Sequence, residues 1–376
     1  MIGGARLTID LEALAANYRL IRDRVGPAQV AGVVKANGYG LGSAEVVRTL
    51  AAQGCRHICV AVLGEAEELV GTLGADACRG LDIYVLNGLL PGSEGLCARL
   101  GVIPVLNSLG QIQSWSAQAA AMGRRLPAVL QVDTGMSRMG LPEDELALLL
   151  DTPALLEGID LRLLISHLAC ADEGDDPANA MQWSRFQKVA RRFPDVPLAL
   201  DNSGGAFLRR AHFDLVRAGI ALYGGAPHDG ANPMRPVIAL EAAIAQLRSI
   251  PAGAGVGYGL TFRADRPTRI ATIPVGYADG LPRSLGNRGA GWIAGVRAPI
   301  AGRVSMDSIT LDVTDVPEDA LYPGAPVELI GPHQTLDQLA ADAGTISYEI
   351  LTQLGRRYQR VLLPAEADAL SWNTAP

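Results

Sequence analysis

The sequence predicts an α/β protein with an N-terminal (β/α)8 barrel and a C-terminal, mainly antiparallel β domain. Short apolar runs alternate with helix-like stretches as far as Val216 and form eight β/α units, the number expected for a TIM-type barrel of about 250 residues. From Met234 onward, strand-like runs follow one another with Gly/Pro turns and few helices. A Gly/Pro-rich stretch, 224–233, separates the two patterns. We therefore predict a barrel over 1–232 and a β domain over 233–376, with the first strand belonging to either one.

The predicted elements begin with a short strand, Leu7–Ile9, and a helix that Asp10 caps. The barrel strands follow as apolar runs typical of buried parallel strands: Val30–Val34, Ile58–Val62, Ile83–Leu86, Ile103–Leu106, Ala128–Val132, Leu161–Ile165, Leu198–Leu200 and Leu215–Val216. Ala- and Leu-rich helical stretches lie between them at Ser43–Ala52, Ile112–Met122, Glu143–Leu150 and Asn179–Phe193. An open doubly wound sheet shows the same alternation and is the competing fold.

The second domain is predicted from strand-like runs at Ile238–Leu247, Ile270–Pro274, Trp292–Val296, Ser308–Val313 and Val327–Ile330. Two helix-like pieces interrupt them late, at Thr335–Ala343 and Ser347–Leu354. Consecutive strands joined by short turns pair antiparallel, which is why we expect a β domain here.

Composition and charge exclude several classes of function. The net charge of −7 and the absence of a Lys/Arg block give no footprint for nucleic acid. Five cysteines without paired spacing predict buried free thiols in a reducing compartment and no zinc site. The first residues lack the basic region and apolar core of a secretory signal, and no apolar run reaches the roughly 18 residues that span a bilayer. We expect a cytoplasmic protein without membrane or nucleic-acid partners.

Lys35 is the most informative single residue. It directly follows the apolar run Val30–Val34 and precedes a turn-forming Ala-Asn-Gly-Tyr-Gly segment. A lysine that is desolvated at such a point has a lowered pKa and can form a Schiff base with a carbonyl group. A strand-end lysine whose amine simply extends into solvent is the alternative.

Further strand ends carry groups that can do chemistry. Arg138 follows the fifth barrel strand closely, His167 the sixth, Ser203 the seventh and Arg217 the eighth. Each has a structural alternative as a cap, a core histidine or a paired arginine. Because catalytic groups of barrels come from the C-terminal ends of the strands, Lys35 and these four residues together predict one site.

The loops after the last two barrel strands predict a phosphate site. Asn202–Gly205 and Gly219–Ile220 supply a hydroxyl group and glycine N–H groups that can approach an anion. A lysine for a carbonyl, a phosphate cradle and an arginine that faces a ring nitrogen together indicate pyridoxal 5′-phosphate. A phosphosugar aldolase also combines such a lysine with a cradle, but it would not need the tyrosines of the second domain.

The chain resembles the alanine racemases over essentially its whole length. In the barrel the resemblance is carried by VVKANGYG at 33–40, VDTGMSRMG at 132–140, the segment with His167 and Asp172, and RAGIALYG at 217–224. The second domain adds GVGYG at 255–259, VGYADG at 275–280 and GRVSMD at 302–307. In this order the segments are together highly specific.

The resemblance implies a role for each matched position. Lys35 would hold the cofactor and act as the base on one face of the substrate α-carbon. Tyr258, donated by the partner subunit of a homodimer, would act on the opposite face. A tyrosine is normally protonated at neutral pH, and His167 with Arg217 would stabilise its phenolate. Arg217 cannot give up a proton, so the pyridine nitrogen would stay unprotonated.

The other matched positions would bind cofactor and substrate. The phosphate would be held by Tyr39, Ser203, Gly219, Ile220 and Tyr348. The substrate carboxylate would be received by Arg138 and the backbone of Met306. The family's access corridor is matched by Asp172, Tyr277, Arg283, Arg303 and Ile346. No metal is implied.

The sequence departs from the family pattern at two positions. Several relatives carry a carbamylated lysine seven residues before the carboxylate-binding arginine, where this chain has Gln131. Arg138 is then expected to be held by Gln131 or by a bound anion, with no carbamate present. The second departure is Leu41, where relatives often have histidine.

The implied activity is the interconversion of L- and D-alanine, which supplies D-alanine for peptidoglycan. A broader-specificity or serine racemase is the alternative within the same chemistry. A barrel-type amino acid decarboxylase gives no reason for the Tyr258 segment. A barrel-only protein that binds pyridoxal phosphate would lack the second domain, so the length of this chain argues against it.

Overall fold

The computed structural model describes residues 4–364 of the chain. Within them, two compact units are formed. One consists of Ala15–Leu222 with Ala226–Pro233, and the other contains the residues up to Leu14, Tyr223–Gly225 and those from Met234 onward.

The first unit contains eight parallel strands. The chain enters it through β1 (Ala5–Asp10) and α1 (Leu11–Val25), and Asp10 Oδ1 accepts the Ala13 N–H at 2.8 Å as a helix cap. The strands are β2 (Gln29–Val33), β3 (His57–Val60), β4 (Asp82–Val85), β5 (Ile103–Leu106), β6 (Leu126–Gln131), β7 (Ile159–Ile165), β8 (Leu198–Ala199) and β9 (Leu215–Ala218). Each predicted barrel strand is therefore present.

These strands form a nearly closed barrel. Their hydrogen-bonded order is β8-β7-β6-β5-β4-β3-β2-β9, so the last strand pairs with the first. Just beyond β8, the carbonyl oxygen of Asp201 accepts the Arg217 N–H of β9 at 2.9 Å, which links the two ends. An open doubly wound sheet reverses its strand order, and this arrangement excludes it.

Helices cover the barrel strands. They are α2 (Ser43–Ala52), α3 (Leu63–Leu73), α4 (Ala75–Cys78), α5 (Glu94–Leu100), α6 (Leu109–Ala121), α7 (Glu143–Asp151) and α8 (Pro177–Ala190). Short 3-10 turns lie at Pro153–Leu156, Gly205–Phe207 and Ile220–Tyr223. All four residues of β5 are buried, as expected for a parallel strand with both faces covered.

The second unit is mainly antiparallel. Its strands are β10 (Ile238–Ala243), β11 (Gln246–Ile250), β12 (Gly255–Val256), β13 (Phe262–Arg263), β14 (Thr268–Ile273), β15 (Ala290–Ile293), β16 (Val296–Pro299), β17 (Ile309–Asp312), β18 (Pro326–Ile330) and β19 (Gln359–Leu363). Two helices, α9 (Leu336–Ala343) and α10 (Ser347–Gln353), lie between β18 and β19, and 3-10 turns occur at Tyr258–Leu260, Tyr277–Asp279, Arg283–Leu285 and Glu318–Ala320.

Three sheets organise this unit. The largest has the order β16-β15-β18-β10-β1-β19, with all pairs antiparallel except β1 and β19. The others are β11-β14-β17 and β12-β13. The first strand of the chain thus pairs with strands of the second unit.

Two predicted strands of this unit are wrong. Ile238–Leu247 is divided between β10 and β11, which belong to different sheets. Trp292–Val296 contains the two-residue turn Ala294-Gly295 of a hairpin between β15 and β16, with φ of 49° and 77° at the turn residues. An apolar run reveals neither break, because alanine and glycine fit a strand pattern as easily as a turn.

Cys55, Cys59 and Cys97 are buried free thiols. None of the helices in the described part of the chain is both long and apolar enough to cross a membrane.

Candidate active site

Lys35 lies one residue beyond the end of β2, after the fully buried Val34, and is itself half-buried. Burial lowers the pKa of its amine, and the charge of Arg138 lowers it further, whereas Glu65 and Cys59 act in the opposite direction. A larger fraction of the amine is therefore unprotonated at neutral pH than for an exposed lysine, and only that form is a nucleophile.

The segment after Lys35 is a left-handed turn. Four consecutive residues, Ala36, Asn37, Gly38 and Tyr39, have φ between 52° and 62°, and the Gly38 N–H bonds back to the Val34 carbonyl oxygen at 2.7 Å. Three of the four are not glycine, so the conformation is costly. Strained backbone of this kind persists where the surroundings determine it, often at a functional site.

Arg217 of β9 is buried and binds the C-terminal ends of the neighbouring barrel strands β7 and β8. Only 5% of it is exposed, and its guanidinium donates to three carbonyl oxygens, those of Ser166 (2.5 Å), Ala199 (3.0 Å) and Leu200 (3.2 Å). It also donates to Nδ1 of His167 at 3.4 Å. Arginine is a donor only, so the contact requires His167 to accept at Nδ1 and to carry its hydrogen on Nε2.

His167 is neutral at physiological pH. Burial lowers its pKa to about 3, and the charges of Arg217, Arg138 and Lys35 contribute in the same direction. Because the charges of Arg217, Arg138 and Lys35 all act on His167, these four side chains lie near one another. The structure thus brings together Lys35, Arg138, His167 and Arg217 at the C-terminal rim of the barrel.

The last two strand ends meet at Ser203. Its Oγ accepts the N–H of Gly219 at 2.8 Å and that of Ala221 at 3.4 Å, so its own hydroxyl hydrogen is directed elsewhere. A Cβ at position 219 would lie 2.3 Å from the Tyr39 hydroxyl oxygen, so a larger residue would displace Tyr39. Tyr39, Ser203, Gly219 and Ile220 thus share one region and are all buried.

Arg138 is exposed and follows a loop that one carboxylate organises. Asp133 Oδ1 accepts the N–H groups of Gly135 (2.8 Å), Met136 (3.0 Å) and Ser137 (3.1 Å). Among residues 4–364, no hydrogen bond joins Gln131 to Arg138, so the first of its two expected partners is not observed, and a bound anion stays a prediction. The buried Gln131 amide donates instead to the carbonyl oxygen of Met139, at 3.3 Å.

The remaining predicted site residues belong to the second unit, except for Asp172, which is exposed in the barrel unit. Tyr258 is 71% exposed on a 3-10 turn between the left-handed residues Gly257 and Gly259. A Cβ on Gly259 would lie 3.3 Å from Arg303 Nη1, so Arg303 packs against this turn. Exposed side chains are also found at Tyr277, Arg283, Met306, Ile346 and Tyr348.

An ion pair between the buried Asp279 and the half-exposed Arg357 holds two of these second-unit segments together. The N–H of Ala278 donates to the Met306 carbonyl oxygen at 3.1 Å. Asp279, 2% exposed, accepts two bonds of 2.7 Å from Arg357, which also donates to Asp307 at 2.6 Å. The Tyr277 and Met306 segments are thereby fixed against each other.

Two residues of the barrel site were missed from the sequence. Glu65 in the first turn of α3 accepts the N–H groups of Ala36 and Ala61, both at 2.7 Å. Gln182 in α8, fully buried, donates to Thr134 Oγ1 (3.2 Å) and to the His167 carbonyl oxygen (2.8 Å). The available signal for Glu65 was an acidic residue in the first turn of a helix that closely follows a barrel strand, and for Gln182 it was a polar residue within the helix after the sixth barrel strand.

A barrel with a desolvated lysine at its first strand end and an arginine, a neutral histidine and a glycine cradle at the others defines a class of lysine-dependent barrel enzymes. Residues 9–227 match the family model for the alanine racemase N-terminal domain, and residues 237–362 match that for its C-terminal domain. The chain belongs to the alanine racemase family.

Individual relatives agree with this assignment. The chain is 54% identical to a catabolic alanine racemase of Agrobacterium fabrum, covering 95% of this chain and 92% of the relative. It is 51% identical to an alanine racemase of Brucella canis, with 96% and 94% covered. It resembles the crystal structure of alanine racemase from Bartonella henselae with covalently bound pyridoxal phosphate, with a TM-score of 0.91, 41% identity and coverage of 96% and 99%.

Proposed function

We propose that this chain is a pyridoxal phosphate-dependent alanine racemase that interconverts L- and D-alanine with two bases, Lys35 and the partner subunit's Tyr258. One observation carries the proposal. Lys35 is desolvated at the end of the first barrel strand, within electrostatic range of Arg138 and His167. A solvent-exposed amine, the structural alternative for this residue, would not have a lowered pKa.

The residues present fit the cofactor. Ser203 Oγ lies 2.8 Å from the Gly219 nitrogen, and the absence of a Cβ at position 219 lets the Tyr39 hydroxyl approach the same point, so two hydroxyl groups of the kind that bind a phosphate lie together. The Lys35 amine would bind the aldehyde carbon of the cofactor. The Arg217 guanidinium would be the donor that faces its pyridine nitrogen. Tyr39, Ile220 and Tyr348 would complete the phosphate site. When bound, pyridoxal phosphate supplies the electron sink that makes the α-hydrogen of an amino acid acidic.

The protein side chains position the substrate and move the proton. Arg138, exposed and without a carboxylate partner among residues 4–364, can receive the substrate carboxylate together with the backbone of Met306. Lys35 would remove or return the proton on one face of the α-carbon and the partner's Tyr258 on the other. The Nε2–H of the neutral His167 is suited to donate to the tyrosine oxygen, which links it to Arg217.

A homodimer with shared sites is part of the proposal. The second unit exposes large apolar or aromatic side chains, among them Tyr258 (71%), Leu260 (51%), Met306 (52%) and Ile346 (61%). A contiguous patch of exposed apolar side chains marks a surface that binds a partner, and the proposal places these residues in such a surface. Racemisation in the cytoplasm, to which the free thiols are suited, would supply D-alanine for peptidoglycan. A catabolic role is the second candidate, favoured by the name of the Agrobacterium relative.

The test compares two variants with the wild-type protein on L-alanine and L-serine. Lys35→Ala should lose both the cofactor's absorbance and racemisation. Tyr258→Phe should keep the absorbance and lose proton exchange chiefly with L-alanine, the enantiomer assigned to the tyrosine. Normal racemisation by Tyr258→Phe would show the two-base mechanism to be wrong. Faster turnover of L-serine than of L-alanine would favour the serine racemase alternative.

A further inference from the structure

We propose that Glu65 is the positioning residue of Lys35: its carboxylate fixes the left-handed turn that follows the lysine and supplies the counter-charge of the lysine nitrogen. This inference rests on the proposed role of Lys35 as the cofactor-binding lysine. Nothing in the family comparison assigns a role to this residue.

The contacts of Glu65 join two strand ends. Oε1 accepts the N–H of Ala36, which directly follows Lys35, and Oε2 accepts the N–H of Ala61, which directly follows β3; both distances are 2.7 Å. Hydrogen bonds with an ionised acceptor are roughly twice as strong as neutral ones. Glu65 lies in the first turn of α3, where the helix dipole favours a negative charge.

The turn needs such a constraint. Ala36, Asn37 and Tyr39 adopt a left-handed conformation that is unfavourable for residues other than glycine. Bonds within the segment, such as Ser43 N–H to Asn37 Oδ1 at 2.9 Å, connect residues that are close in sequence. Glu65 is 29 residues away from Ala36 and ties the turn to the neighbouring strand end. By tying the Ala36 N–H to the end of β3, this carboxylate helps to fix the direction of the chain at Lys35.

The charge of Glu65 acts on Lys35 as well. Burial and Arg138 lower the pKa of the Lys35 amine, and Glu65 is the first of two groups that oppose them, the other being Cys59. His167 also lies in the same environment, since Lys35 contributes to the lowering of its pKa. Glu65 is the carboxylate among these groups, and its 2.7 Å bond to the N–H of Ala36 holds it next to Lys35 in the chain, so it provides the negative charge that stabilises a protonated lysine nitrogen.

The experiment is a pH titration of the holoenzyme's visible absorbance, which reports protonation of the cofactor-linked Lys35 nitrogen. Glu65→Gln keeps the size of the side chain, loses the charge and leaves one backbone N–H unpaired, because its amide nitrogen cannot accept. We expect the midpoint to move to lower pH by about one unit. Glu68→Gln, an exposed change in the same helix, is the matched control and should titrate like the wild type.

A second variant separates charge from geometry. Glu65→Asp keeps the charge but cannot reach both N–H groups, so its midpoint should stay near that of the wild type while racemisation falls at least tenfold. An unchanged midpoint in Glu65→Gln would overturn the proposal, even with reduced thermal stability, since the role would then be structural only. Retention of the absorbance band by Lys35→Ala would instead overturn the proposed function, so the two failures are distinguishable.

Discussion

At the scale of single residues, the site depends on groups whose protonation the protein controls. Lys35 has a lowered pKa because it is buried beside Arg138. His167 is neutral because it is buried beside Arg217, and the donor from Arg217 leaves its hydrogen on Nε2. The sequence located these residues, since each ends an apolar run. It could not reveal their protonation, which depends on side chains from other strands.

The lowered pKa of His167 predicts a pH dependence of stability. Its pKa is about 3 when folded and near 6.5 when unfolded, so the unfolded chain binds the additional proton as the pH falls below 6.5. Between pH 7 and pH 5 this should cost the wild type about 1–2 kcal/mol of unfolding free energy. Unfolding by urea at both pH values should therefore show a smaller loss for His167→Gln. An equal loss in the two proteins would contradict the assigned pKa.

At the scale of elements, turns were harder to predict than strands or helices. The barrel strands are continuous apolar runs bounded by polar residues, and each was found where the sequence indicated. The left-handed turn of Ala36–Tyr39 was not predictable in detail, because three of its residues are not glycine. The hairpin at Ala294-Gly295 was missed for the same reason. The conformation of the hairpin follows from the pairing of β15 with β16. In the left-handed turn, the distant side chain of Glu65 accepts the Ala36 N–H.

The hairpin provides a stability prediction. Its turn has positive φ at both central residues, as in a type I′ turn, where Asn-Gly is preferred. Ala294→Asn should therefore raise the free energy of unfolding by roughly 0.5–1 kcal/mol, measured as a higher Tm. Ala252→Asn is the control, since Ala252 also precedes a left-handed glycine, Gly253, without a positive φ of its own. Equal effects of the two substitutions would show that the backbone conformation is not the cause.

At the scale of the whole molecule, the sequence predicted the fold class and the family, and both are confirmed. The eight-stranded order and the antiparallel sheets establish the fold, and the two family models establish the family. The sharing of the site between two subunits stays a proposal. It depends on a surface formed by residues as distant as Tyr258 and Ile346, and the sequence shows only that these positions match the family pattern.

The most direct test of shared sites mixes two inactive proteins. Lys35→Ala lacks one base and Tyr258→Phe the other, so a mixed dimer contains one site with both bases intact. After subunit exchange of equal amounts, about a quarter of the wild-type alanine racemisation should return, as two-fold symmetry requires. Differently tagged subunits provide the control that exchange has occurred. Recovery near that level is the predicted result, and no recovery from demonstrably mixed dimers would contradict a site built from Lys35 of one subunit and Tyr258 of the other.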